Sequence, residues 1–267
     1  MALVAMLCQG KVSSPQRTST TMPQPCSKAA FGKHWLDVVV CRYRCGVSDL
    51  ADTFRSVNAR VLVYDKNVAN PLAEAPGYTR LHARNPPGGQ EGYVYLRHII
   101  DRYDKLAEYT LFVQDDLGNH IGAQGAEKLL KFALDAAQRC AEFQQHPTMW
   151  GQGRNCSGGS NSTPRSIPRI FRNGSYRLHT MPNGGNGVLW DFAKRFCLPQ
   201  VEWFATLTGA FFIASRDGIL QHSVRYYESI LEWMLAQSSN GFVLEHAWKL
   251  VLDSSYRTLT PSCDSSR

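Results

Sequence analysis

Three short apolar runs, each ending abruptly on polar residues, constrain this chain more than any other feature. They are LDVVVC (36–41), RVLVY (60–64) and YTLFVQ (109–114). Each is too short for a helix and rich in β-branched residues, without the strict alternation of a strand that has one wet face. Runs of this kind belong in a sheet covered on both sides.

Helical patterns lie between and after them. SDLADTF (48–54) reads as a short helix with Ser48 as its cap. From Gln90 to Leu106, residues Leu96, Ile99, Ile100 and Tyr103 fall at i, i+3, i+4 and i+7, which is one apolar stripe. Residues 124–144 carry a second stripe, from Leu130 to Ala141. The segment 67–90, broken by four prolines and by Gly88 and Gly89, predicts a long loop. Order returns with LWDFAKRF (189–196), a strand GAFFIAS (209–215), and helices over 217–237 and 242–252. The β-α-β-α-β-α order predicts an α/β fold with a mostly parallel sheet.

Composition matters here for where the charge sits. The formal net charge is +7, yet residues 1–34 and 147–187 hold nine basic residues and no acid. The rest of the chain is therefore slightly acidic. A nucleic-acid binder shows a basic stripe on its folded surface, so the charge argues against such a partner. No apolar run is long enough to span a membrane. Residues 1–34 read as a disordered leader, 35–253 as one α/β domain and 254–267 as a loose tail. Within the domain, 147–187 carries eight of the 21 glycines and reads as an inserted loop.

The eight cysteines include no CxxC pair, which disfavours a zinc site. Three glycosylation sequons begin at Asn155, Asn161 and Asn173. They point towards the secretory or Golgi lumen rather than the cytoplasm.

Ligands of open α/β sheets bind beyond the carboxyl ends of the strands, so the residues after each run are the candidate site. They are Arg42 and Tyr43, then Asp65 and Lys66, then Gln114, Asp115 and Asp116. Two adjacent carboxylates there suit Mg²⁺ or Mn²⁺, which take oxygen ligands and leave positions for substrate phosphates. Arg42 is placed to pair with phosphate oxygens, and Arg216, after strand 209–215, is a second such candidate. The competing explanation is that Asp115 and Asp116 open a turn into LGNH. Glu91 is accounted for by the favourable dipole at a helix start. Glu245 has an i,i+4 partner in Lys249, or serves as a general base if its helix end faces the pocket. The sequence contains no GxxxxGK[ST], no GxGxxG after the first strand, no HExxH and no GxSxG, which disfavours the corresponding chemistries.

Several blocks together, VVVCRY, VYDKN, GGQEGYVYLRHIIDRYDKLAEYTLFVQDD, TGAFFIASRDGI, YYESIL and EHAWKLVL, resemble the family catalogued as domain of unknown function 3431. The resemblance covers roughly residues 36–252 and implies a Rossmann-like glycosyltransferase fold of the GT-A type. It further implies a nucleotide-sugar donor, a divalent metal at Asp115 and Asp116, and Asp65 on the nucleotide side. Where the family pattern has Gln-Gly after the third run, this chain has Gln114-Asp115.

The sequence thus predicts a glycosyltransferase-like enzyme. Asp115 and Asp116 hold metal and diphosphate, and Arg42, Tyr43, Asp65, Lys66, Gln114 and Arg216 contact the donor. Asp116 or Glu245 serves the chemistry, and the acceptor is an unspecified glycan, protein or lipid. The alternative is a non-catalytic carbohydrate-binding or interaction module on the same fold.

Overall fold

The structure is a computed structural model that describes residues 35–146, 169–172, 186–198, 203–206 and 210–255. The leader, the three sequons and the tail beyond Ser255 lie outside the described residues.

Six strands form one sheet. β1 (Leu36–Arg42), β2 (Arg60–Asp65) and β4 (Tyr109–Gln114) are the three apolar runs. β3 (Thr79–His82), β5 (Phe143–Gln145) and β8 (Phe212–Ser215) complete it in the order β3-β2-β1-β4-β8-β5. The pairings β3–β2, β2–β1 and β1–β4 are parallel, whereas β4–β8 and β8–β5 are antiparallel. The sheet is therefore mixed, with its antiparallel part on the β8 side. A separate two-stranded antiparallel ribbon joins β6 (Arg169–Arg172) to β7 (Trp203–Thr206).

Two strands of the six-stranded sheet, like both strands of the ribbon, were not evident from sequence. β3 lies inside the segment expected to be a loop. It is an edge strand of four residues whose side chains are exposed or half-buried, so it lacks the apolar signature. β5 ends the helix expected over 124–144. Cys140 adopts a φ of 53°, and this left-handed turn redirects the chain before a strand of only three residues.

Helices α1 (Ser48–Arg55), α2 (Gln90–Asp101), α3 (Leu117–His120) and α4 (Gly125–Gln138) precede the ribbon in sequence, α2 being followed by a 3₁₀ turn at Tyr103–Lys105. The later helices are α5 (Asn186–Arg195), α6 (Arg216–Leu220), α7 (Val224–Ala236) and α8 (Asn240–Leu252). Ser48 begins α1 rather than capping it: the cap position is Val47, without a side-chain bond. The helix expected over 217–237 is two helices, α6 and α7. Ser215 caps the first by accepting from the Gly218 N–H at 3.0 Å.

Alternate side chains of the central strands feed two cores. Val38, Val40, Val61, Val63, Leu111 and Val113 pack with α1 and α4 on one face. Val39, Cys41, Leu62, Tyr64 and Phe112 pack with α2, α5, α7 and α8 on the other. Coverage of both faces is why these strands are apolar throughout. On the second face Tyr95, Phe112, Phe212 and Trp248 form one aromatic cluster, Phe112 and Trp248 lying nearly parallel with centroids 6.5 Å apart.

The loop before α2 is seated against the α7–α8 junction. Gly88 has a φ of +72°, and a Cβ there would lie 2.4 Å from the Ser238 backbone. A Cβ on Gly241 would lie 2.4 Å from the Gly88 carbonyl oxygen. Only glycines permit this approach, which brings the first turn of α2 against α8.

Candidate functional site

The register confirms that the exits of the three apolar runs share one end of the sheet. Arg42 lies opposite Asp65, and Cys41 opposite Gln114. Arg42, Tyr43, Asp65, Lys66, Gln114, Asp115 and Asp116 therefore gather where β1, β2 and β4 terminate. Arg216 does not join them. Because β8 runs antiparallel, Ser215 pairs with Tyr109 at the start of β4, and the Arg216 N–H donates to the Glu108 carbonyl at 2.8 Å. Arg216 is thus at the opposite end of the sheet, which removes it from the candidate site.

Several of the gathered charges are already matched inside the protein. Arg42 is buried, and its guanidinium bonds Asp65 Oδ1 at 2.7 Å and the carbonyls of Cys45 and Asn70, each at 3.0 Å. Asp65 Oδ1 also accepts from the Asn67 N–H, and Oδ2 accepts from the Leu72 N–H at 2.8 Å and from Arg80 at 3.1 Å. Burial opposes ionisation of Asp65, but the Leu72 N–H and Arg42 outweigh it and hold the carboxyl below its ordinary value. Neither Arg42 nor Asp65 offers an open charge to a phosphate or a nucleotide. Both are framework residues that join β1, β2 and β3.

Asp115 is committed in the same way. Its Oδ2 accepts three consecutive backbone N–H groups, from Tyr43 at 3.0 Å, Arg44 at 2.7 Å and Cys45 at 2.5 Å. Successive N–H groups converging on one point make an anion-binding nest, and here the anion is a side chain of the protein. Burial, with the neighbouring Asp116 charge, still raises the Asp115 carboxyl above its ordinary value against the pull of these bonds. Asp116 turns to a different partner, His120, with Oδ1 3.3 Å from Nε2. Among the described residues no three His, Cys, Asp or Glu side chains are placed to hold a metal ion. Asp115 does not fit the expected role at Mg²⁺ or Mn²⁺: a cation on Oδ2 would face the positive ends of three N–H dipoles.

Lys66 is buried beside the nest. Its ammonium donates to the Gln90 carbonyl at 2.5 Å and to the Tyr43 hydroxyl at 3.3 Å, and lies 4.6 Å from the Tyr43 ring centroid. Burial lowers its basicity, against the charge of Glu91.

The remaining acids are in mutual conflict. Glu91 is in the first turn of α2, where sequence offered a helix dipole as sufficient explanation, yet only 7% of it is exposed. Burial first, and then the charge of Glu245 on α8, push its carboxyl up to about 7, against Lys66 and His120. Burial would lower the basicity of His120, but Asp116, Glu91 and Glu245 together raise it. Asp116 is held below its ordinary value: burial opposes ionisation, and His120 and Asn119 overcome it. Glu91, Glu245, His120 and Asp116, from α2, α8 and the β4 exit, thus share one electrostatic environment. Clustered perturbation of this kind marks functional sites more often than framework.

Sequence reasoning missed two of the four. Glu91 was set aside as a helix-start acid, because a buried first turn is not visible in the sequence. His120 falls within the turn expected at LGNH, although the Asp116–His120 spacing of i,i+4 is a readable pairing signal. Arg44 was missed as well; it is exposed on the loop whose N–H groups Asp115 holds.

Cys45, Cys140 and Cys197 are disulfide-bonded, and Cys41 is free and buried. No helix among the described residues is long and apolar enough to cross a membrane. Among curated proteins, no match to this sequence was found. A family model matches residues 51–265, from within α1 to near the end of the chain. The chain therefore belongs to the family described as protein of unknown function (DUF3431).

Proposed function

We propose that this chain is a glycosyltransferase-like enzyme of Rossmann-like architecture, moving a sugar from a nucleotide-sugar donor to a hydroxyl-bearing acceptor. The observation that carries the reading is the strand order. From β1 the parallel strands wind outward through β2 to β3, and the chain then returns to place β4 on the other side of β1. The loops after β1 and β4 part at that reversal, which is where ligands of such sheets bind. Tyr43, Arg44, Lys66 and the four titratable groups are all at that end.

Arg44 is the exposed cation suited to donor phosphates. Lys66 has a third ammonium donor beyond its bonds to Gln90 and Tyr43. The reading takes no step through a divalent ion at Asp115, because that carboxylate is engaged by the nest. The disulfides agree with an oxidising compartment such as the secretory lumen.

A panel of UDP- and GDP-sugars, followed by released nucleotide and by calorimetry, tests this. The expected result is turnover of at least one donor, with Arg44→Ala raising its KM about tenfold, the scale of one lost charged phosphate contact. Binding without turnover in any acceptor screen would favour the non-catalytic carbohydrate-binding module. Absence of any nucleotide binding would remove the transfer reading and leave the non-catalytic module.

A further inference from the structure

We infer that His120, held by Asp116, is the general base of this site, in place of Glu245. The inference takes its reaction from the sugar-transfer reading, but the pair itself stands on geometry. Asp116 Oδ1 lies 3.3 Å from His120 Nε2, across one turn of α3. The contact is at ion-pair distance and Asp116 Oδ1 makes no hydrogen bond among the described residues. It is therefore the Asp116 charge that favours the proton on the nearer nitrogen, Nε2, and leaves Nδ1 as a lone-pair acceptor. Nδ1 is buried and has no hydrogen-bond partner among the described residues. A buried acceptor without a donor is costly, and an incoming hydroxyl is a group that satisfies it. The side chain as a whole remains 24% exposed. Hydrogen bonds to catalytic bases commonly form only when the substrate is bound.

The surroundings fit the role. The Phe211 ring packs on one side of the imidazole, with centroids 5.4 Å apart, and limits its motion. Asp116 on the β4 exit, Glu91 on α2 and Glu245 on α8 are the acids whose charges reach it. All three favour the imidazolium that forms when the base takes a proton. A carboxylate orienting and stabilising an imidazole is the division of labour used by hydrolytic triads.

The step balances without a further reactant. The acceptor O–H gives its proton to His120 Nδ1 as its oxygen bonds to the anomeric carbon. The bond from that carbon to the diphosphate oxygen breaks, and the nucleoside diphosphate leaves with the electron pair. The imidazolium then returns its proton to water. His120 is the catalytic residue here, and Asp116 is a positioning residue that acts through it.

Two measurements on the full chain test the inference. The first follows the His120 ring C–H by NMR against pH, in the wild type and in Asp116→Asn. The titration midpoint is expected to fall by about one pH unit in the variant, the lower end of the effect of a lost neighbouring charge. An unchanged midpoint would overturn the pairing. The second measures donor turnover in His120→Ala, with His120→Gln as the variant of closer size should alanine fail to fold. A loss in kcat of about 10²–10³-fold is expected, with KM little changed and at least tenfold recovery in added imidazole. Turnover within threefold of wild type would sink His120 as base while leaving sugar transfer intact. A coupled titration in a protein that turns over no nucleotide sugar would instead uphold the pair and remove the transfer reading.

Discussion

Two sets of acids share one end of this sheet and live in opposite circumstances. Asp65 and Asp115 are matched. Asp65 is ringed by two arginines and two backbone N–H groups, and Asp115 by three consecutive N–H groups. Glu91 is buried and its charge is opposed by burial and by Glu245, with Lys66 and His120 as partial compensation. Matched acids hold strands and loops together; Glu91 holds its proton up to about 7, which is what acid–base chemistry needs. Asp65 and Asp115 are expected site residues because they follow strands. Position alone does not separate the two sets. Their hydrogen bonds do.

The largest effect should come from breaking the matched set. Asp65→Ala leaves Arg42 buried with its charge uncompensated and removes the partner of Arg80. A loss of about 3–5 kcal/mol of stability is expected, read from the urea midpoint at constant slope. A loss below about 1 kcal/mol would mean that Asp65 is no framework residue, and would reopen it as a ligand contact.

Asp115 comes next. Asp115→Ala strips the acceptor from three N–H groups and should cost about 2–3 kcal/mol. Asp115→Asn keeps a side-chain oxygen for them and should cost about 1 kcal/mol. If the two variants were equally stable, the nest would not be what fixes the loop, and Asp115 would move to the other set.

How much of this was legible follows from the same contrast. β1, β2 and β4 were readable within a residue, because burial on both faces leaves a continuous apolar run. β3 and β5 were not, since an edge strand of three or four residues carries no such run. That the three strand exits share an end was readable from order alone. What Asp115 and Arg42 do there was not, because the partners of Asp115 are backbone N–H groups some seventy residues away in sequence and carry no side-chain signature. Arg216 was misplaced for a related reason: nothing in GAFFIAS tells whether the strand runs with its neighbours or against them. Glu91 was hidden by a local explanation that was true but incomplete. Its first turn is helical, but the Gly88–Gly241 approach buries it against α8, and that contact is wholly tertiary.

The last effect has the opposite sign and is the most discriminating. The folded state holds Glu91 protonated up to about 7 against an ordinary 4.5. For this group the folded chain is therefore favoured fully below pH 4.5, loses that advantage as pH rises from 4.5 to 7, and levels off above. Glu91→Gln is a permanent analogue of the protonated acid. At pH 8 it should stabilise the protein by about 1–2 kcal/mol, a part of the full linkage term because the site relaxes around the charge. At pH 4 it should change nothing. His98 supplies an internal reference, since burial, with Arg102 and Arg60, lowers it to about 3 from 6.5. Its contribution runs the other way, full above pH 6.5 and lost as pH falls towards 3, so the wild type should also weaken in acid. The Asp37 carboxylate, 3.9 Å from His98 Nε2, does not prevent this because Arg60 already holds both of its oxygens. Urea unfolding of wild type and Glu91→Gln at pH 4, 6 and 8 reads both effects. A variant that gains stability at pH 8 while losing donor turnover would mark Glu91 as an acid retained for chemistry at the expense of the fold. A variant destabilised at pH 8 would place Glu91 with Asp65, as one more matched acid, and would dissolve the distinction on which the site assignment rests.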